Sequence, residues 1–251
     1  MLFIACLVPP LSSSARRYEF FEALQFSLLA VVVPVLVVSG SPWRLLRLAA
    51  GAAPEDEDHV VGPLSSLRSI DRLARSRRRH PEKLRSVLFG SLFLCGVILW
   101  RIPLTVDALA RSPWLLYVEA TTLLVVGVGL WLELVESPPL TPRLSRPNRV
   151  ALAAVSMWTI WILAYLVGLS HASWYHAYAH FPGNGFSLSA DQQLTTGTMW
   201  FVSGCAFIPV VFWNLVRWLQ SEEDPDEELY RLVRQECTRD HRLSDRGQST
   251  P

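Results

Sequence analysis

Several things are scarce in this 251-residue chain, and each scarcity removes a class of protein. Cysteine is thin: Cys6, Cys95, Cys205 and Cys237 are scattered, with no Cys-x-x-Cys, so neither a zinc knuckle nor a disulfide framework is written in them. Cys95 and Cys205 fall inside apolar runs, where a small apolar filler role is the expectation. There is no glycine-rich phosphate loop, no serine-centred elbow and no His-Glu-x-x-His, which leaves no familiar catalytic motif and no enzyme to expect. Period-2 alternation is absent, which argues against a β-barrel. No solenoid-length repeat is visible. Lysine is nearly missing beside abundant arginine and alanine, the usage expected of a GC-rich bacterial genome. Charge is scarce too: 18% of residues are charged against 51% hydrophobic, and mean hydropathy is +0.27.

What remains is a set of long apolar runs. A hydrocarbon core about 30 Å thick needs roughly 20 apolar residues of helix. Such runs lie at Ala23–Gly40, Val87–Leu104, Trp114–Val135, Val150–Ser170 and Thr196–Leu219. Inside lipid a helix satisfies its own backbone hydrogen bonds, so the expected fold is all-α: an integral membrane bundle of about five full transmembrane helices over residues 1–220. Met1–Val8 is apolar but spans only about half that length. It reads as a partial N-terminal span whose earlier part is missing, with a short interfacial anchor as the alternative.

The basic residues orient the bundle. Arg44, Arg47, Arg68, Arg72, Arg75, Arg77–Arg79, Lys83 and Arg85 fill the loop 41–86, Arg143, Arg146 and Arg149 follow the third run, and more arginines lie in the tail 221–251. Ser170–Thr195 carries no lysine or arginine. The positive-inside rule then places the long loop and the C-terminus in the cytoplasm, with Arg16 and Arg17 as a mild exception outside. Leu64, Leu67, Ile70 and Leu73 recur at helical spacing among arginines. That pattern suits a basic amphipathic helix on an anionic inner leaflet, or a solvated charge run, better than nucleic-acid binding. Asp224 and Pro225 begin a short cytoplasmic helix through Glu236.

Charged residues within the runs are costly. Arg101 lies near the outer end of the second and Glu119 one to two turns into the third, and the short connection makes those helices antiparallel neighbours. A partly buried Arg101–Glu119 ion pair is the expectation.

The segment Asp191-Gln192-Gln193-Leu194-Thr195-Thr196-Gly197-Thr198-Met199-Trp200 resembles the Asp-Gln-Gln…Gly…Met-Trp signature of the CtaG family of cytochrome c oxidase assembly proteins. Other elements follow in the family's order: Gln25 ahead of Pro34, the exit Gly40-Ser41-Pro42, His80-Pro81, Trp100-Arg101-Ile102-Pro103 with Asp107, Glu119 ahead of Trp131, and the close Trp218–Glu223. The resemblance covers nearly the whole chain and suggests a divergent, actinobacterial branch. It implies a multi-pass plasma-membrane factor that serves the subunits of a haem–copper oxidase, at copper loading or subunit maturation. Departures fall where copper chemistry would be clearest. Phe26, Arg101 and Ala120 stand where the family often has histidine, and imidazole is a copper ligand whereas these side chains are not. A transiently bound copper ion would then be met on the outer rim by His171, His176, His180 and Met199, with the aromatic-belt role of those histidines as the alternative. His176 and His180 share one face if their segment is helical. A transporter, or a scaffold that has lost metal binding, stays open beside the assembly role.

Overall fold

A computed structural model describes residues 1–42, 83–138, 140, 142–170, 174–178 and 187–222. Two short helices, α1 (Leu2–Leu7) and α2 (Leu11–Ala15), precede α3 (Glu19–Gly40), which contains a π turn at Leu28–Val32. Then come α4 (Lys83–Arg101), α5 (Pro103–Arg111), α6 (Leu115–Leu134), α7 (Arg146–Leu169), a 3-10 turn at His176–Tyr178, and α8 (Leu188–Glu222). Four helices are long and apolar enough to cross a membrane, and α4 with α5, bent by 65°, makes a fifth if the two count as one span. No strand occurs among the described residues. The all-α membrane bundle is therefore the fold.

The five long helices close into a ring in which neighbours run α3, α6, α4, α7, α8 and back to α3. The first apolar run forms the most enclosed of the four long apolar helices: 61% of its apolar window is buried, against 28% in α8, the least enclosed. Phe26, Leu29, Ala30 and Val31 of α3 pack with Leu123, Leu130 and Trp131 of α6 and with Phe207 of α8. Trp131 stacks on Phe207 with ring centres 4.9 Å apart. Met1–Val8 holds the helix α1 rather than a free anchor: Cys6 is fully buried in the main core, and its carbonyl accepts a hydrogen bond from Gln25 Nε2. Cys95 and Cys205 sit on exposed faces instead of filling the core, which corrects the filler expectation.

Three boundaries differ from those read off the apolar runs. The second span does not continue straight to Leu104: it stops at Arg101, and α5 departs at 65°. Pro103 lacks an N–H and disfavours helical backbone at the residue before it, and Ile102 is extended (φ −67°, ψ 137°). α3 begins at Glu19, ahead of the apolar run that starts at Ala23. α8 begins at Leu188 and counts 35 residues. At 1.5 Å per residue that is roughly 52 Å, well over a bilayer's hydrocarbon thickness, and Asp191 and Gln192 in its first turns are buried against the bundle. The basic stretch around Leu64–Leu73, the helix expected at Asp224–Glu236, His171 and His180 lie outside the described residues.

The approach of α6 to α3 depends on Gly127. A Cβ there would sit 2.6 Å from Pro34 Cγ and 3.0 Å from the Ala30 carbonyl oxygen. Pro34 is a rigid ring and Ala30 O is backbone, so neither moves cheaply. Gly127→Ala should cost about 1–3 kcal/mol through overpacking and Gly127→Leu more. Thermal unfolding of the two variants in detergent, followed by circular dichroism, checks this. Unchanged melting would mean that the two helices have room to separate.

Candidate functional site

The polar interior of the bundle gathers at its two ends. At one end Glu133 of α6 is fully buried, and its Oε2 accepts from Ser86 Oγ (2.9 Å) and from the backbone N–H of Arg143 (3.1 Å). Nearby, Ser41 and Ser137 hydroxyls are 2.6 Å apart and Asn214 Nδ2 donates to the Leu134 carbonyl. These contacts tie α3, α4, α6 and α8 together where each helix ends, which is a structural role.

The other end is different in kind. Glu19 and Glu22 of α3, Arg101 of α4 and Glu119 of α6 are 0%, 2%, 3% and 1% exposed. Ionisable groups so deeply enclosed in a membrane bundle are expensive and mark a site. Arg101 reaches α3, not α6: its Nη1 forms the ion pair with Glu22 Oε2. The expected Arg101–Glu119 pair is thus corrected. Glu119 still lies within electrostatic reach of both Glu22 and Arg101, but α3 stands closer to the guanidinium than α6 does. Two aromatic rings complete the seat of Arg101, Phe26 at 5.0 Å and Tyr175 at 5.3 Å from its Cζ, the distances of cation–π contacts.

Loop residues close this end. Tyr175 Oη donates to the Arg101 carbonyl (3.2 Å) and Tyr178 Oη to the Ala15 carbonyl (2.9 Å). Burial pushes both phenols above their ordinary range, so they stay neutral donors. Asp107 Oδ1 accepts the backbone N–H of Ala177 (2.9 Å), which holds the 3-10 turn against α5. Asp191 accepts from the backbone N–H groups of Glu19 (2.9 Å) and Phe20 (3.1 Å). These are orphan donors in the first turn of α3, and a carboxylate is well suited to cap them.

Some of the residues picked out by motif meet at this end and others do not. Gln25, Arg101, Asp107 and Asp191 all serve this end. Trp100 Nε1 donates to Thr122 Oγ1 (2.9 Å), joining α4 to α6, and Pro103 makes the bend beside them. Gln192 is buried, while Gln193 lines a groove with Tyr165 and Thr196. Trp200 stacks on Trp161 at 4.9 Å. A Cβ on Gly197 would meet nothing within 4 Å, so no close approach explains that glycine. Pro34 and Trp131 belong to the packed middle of the bundle.

Of the four residues expected to meet copper, Met199 and His176 are among the described residues. Met199 is fully buried in the core, whereas His176 is exposed on the 3-10 turn. Among the described residues no three His, Cys, Asp or Glu side chains are placed to hold a metal ion. At Phe26, Arg101 and Ala120 there is no free lone pair, and the guanidinium is itself a cation. Copper does not fit that seat.

One family description covers the bundle. The model of the cytochrome c oxidase caa3 assembly factor, Caa3_CtaG, matches residues 1–221. This chain belongs to that assembly-factor family. Comparisons with curated proteins and with solved structures return no match. Within this member of the assembly-factor family, Glu19 and Glu22 are the site residues that the apolar runs concealed. Their spacing with Gln25, Phe26 and Leu29 traces one helical face, and that periodicity is the signal that would have found them.

Proposed function

We propose that the chain is a multi-pass plasma-membrane factor that matures the subunits of a haem–copper cytochrome c oxidase, through protein contacts made at the end of the bundle that holds Arg101. The observation that carries this reading is the seat of Arg101. A fixed guanidinium, neutralised by Glu22 and covered by Phe26 and Tyr175, occupies the place where imidazoles would be needed to pass copper along. Copper in such a pathway is cargo, and this donor set favours subunit maturation over copper loading. The oxidase activity of membranes from a deletion strain tests it, with and without added copper. Activity should be lost and should stay lost when copper is supplied. Full rescue by copper would assign a delivery role instead, and unchanged oxidase with altered solute uptake would assign transport.

The orientation is part of the same proposal. The basic residues put the Glu133 end inside, with the loop 41–86 and the C-terminus in the cytoplasm against the anionic inner leaflet, and the Arg101 end outside. Reporter fusions after Arg79 and after Glu228 should be active only in cytoplasmic form, and a fusion at Gly183 only in external form. An external signal at Arg79 would invert the bundle.

A further inference from the structure

Four buried carboxyls, those of Glu19, Glu22, Glu119 and Asp191, share the Arg101 end with one buried guanidinium. Asp191 is accounted for by the α3 backbone donors, and Tyr175 and Tyr178 donate to carbonyls. Glu19, Glu22 and Glu119 are not. Both carboxyl oxygens of Glu19, Oε1 of Glu22 and Oε1 of Glu119 are buried without a hydrogen-bond partner among the described residues. Only Glu22 is paired with Arg101. If all three were ionised, two carboxylates would stand uncompensated in a medium that solvates charge poorly. Buried groups in that position take up a proton and become neutral.

A way in exists. A cavity of about 20 Å³ is lined by Ser12, Arg16, Glu22, Gln25, Pro113 and Tyr178, among others. One water needs about 10–15 Å³, so the cavity has room for a single water beside Glu22, whose Oε1 has no partner among the described residues; Glu19 and Glu119 do not line it. Arg16 and Pro113 at its mouth are exposed, which opens it to the surface at this end of the bundle.

We propose that Glu19 and Glu119 form a buried proton-exchanging site beside the Arg101–Glu22 ion pair, in which Arg101 compensates Glu22 and protons that reach this end of the bundle through the cavity bordered by Glu22 neutralise the other two carboxyls. The groups facing it are Glu19 and Glu22 from α3, Arg101 from α4, Glu119 from α6 and Asp191 from α8. Tyr175 and Tyr178 face it from the 3-10 turn, and Arg16 stands at the mouth. The ligand is the proton, drawn from and returned to the adjoining water, and no bond other than O–H is made or broken.

Infrared spectroscopy of the full chain in lipid nanodiscs tests this independently of any oxidase. The wild type should show a protonated-carboxyl C=O band at neutral pH worth about two carboxyls per chain, the number left uncompensated. The band should shift when the sample is moved into D₂O. Joint Glu19→Gln and Glu119→Gln substitution should remove it, and Glu119→Asp should change its frequency if the double variant does not fold. Ala15→Leu, which fills the cavity wall, should slow the deuterium shift without removing the band. A missing band, a band indifferent to every substitution at positions 19 and 119, or one that never exchanges with D₂O would each overturn the site.

Discussion

Arg101→Ala should deplete the protein from the membrane severely, whereas Glu119→Ala should do much less harm. Arg101 is the buried cation paired with Glu22, and it is 3% exposed. Its removal leaves Glu22 buried and unpaired, a loss of about 3–5 kcal/mol when burial is this deep. Total stability of a domain is only about 5–15 kcal/mol, so such a loss takes away a large fraction of it. Glu22→Ala should be similarly harmful, because it strands the guanidinium. Removing both partners together should restore part of the protein level. Quantitative immunoblots of membrane fractions read all three variants against wild type. A strong coupling between positions 101 and 22 and a weak one between 101 and 119 is the expected pattern. The reverse would mean that the guanidinium turns toward α6 in the membrane.

That contrast shows where sequence reasoning reached and where it stopped. The bundle itself was legible, because five apolar runs of bilayer length leave little choice of fold. Arg101 and Glu119 were legible as well, since a charge inside an apolar run stands out. Its partner did not stand out. Glu22 immediately precedes the run Ala23–Gly40, and a reading that begins a span at its first apolar residue discards the acidic turn before it. In the folded chain that turn is helical and enclosed, because Asp191, 172 residues away in sequence, caps its backbone. No local pattern predicts a cap delivered from the last helix. The short connection between α4 and α6 correctly implied that they are neighbours, as they are. It misled on the ion pair because the long arginine side chain can turn away from its nearest neighbour in sequence to a third helix. The break at Ile102 was available in the sequence as Ile102-Pro103, whose steric rule opposes a continuous helix. Hydropathy alone ran through it.

The second large effect concerns the oxidase. If the Arg101 end is the working surface of this assembly factor, its polar residues matter for oxidase maturation beyond holding the fold. Glu119 separates the two roles, since it is buried at the site but makes no ion pair in the described structure. Glu119→Gln keeps the side chain's shape and, like a protonated Glu119, carries no charge, so it should leave the protein at close to its normal level while removing the proton that this position can exchange. A fall in oxidase activity of about tenfold would correspond to roughly 1.4 kcal/mol in the step the site assists.

The most direct measurement is cytochrome c oxidase activity in membranes of the deletion strain. The strain is complemented with wild type, with Glu119→Gln, or with Gln193→Ala on the separate α7–α8 groove as a control, all at matched protein levels. The account predicts that the uncomplemented strain lacks oxidase, that wild type and Gln193→Ala restore it, and that Glu119→Gln does not. Full oxidase activity without the chain, or with Glu119→Gln at the wild-type level, would contradict it.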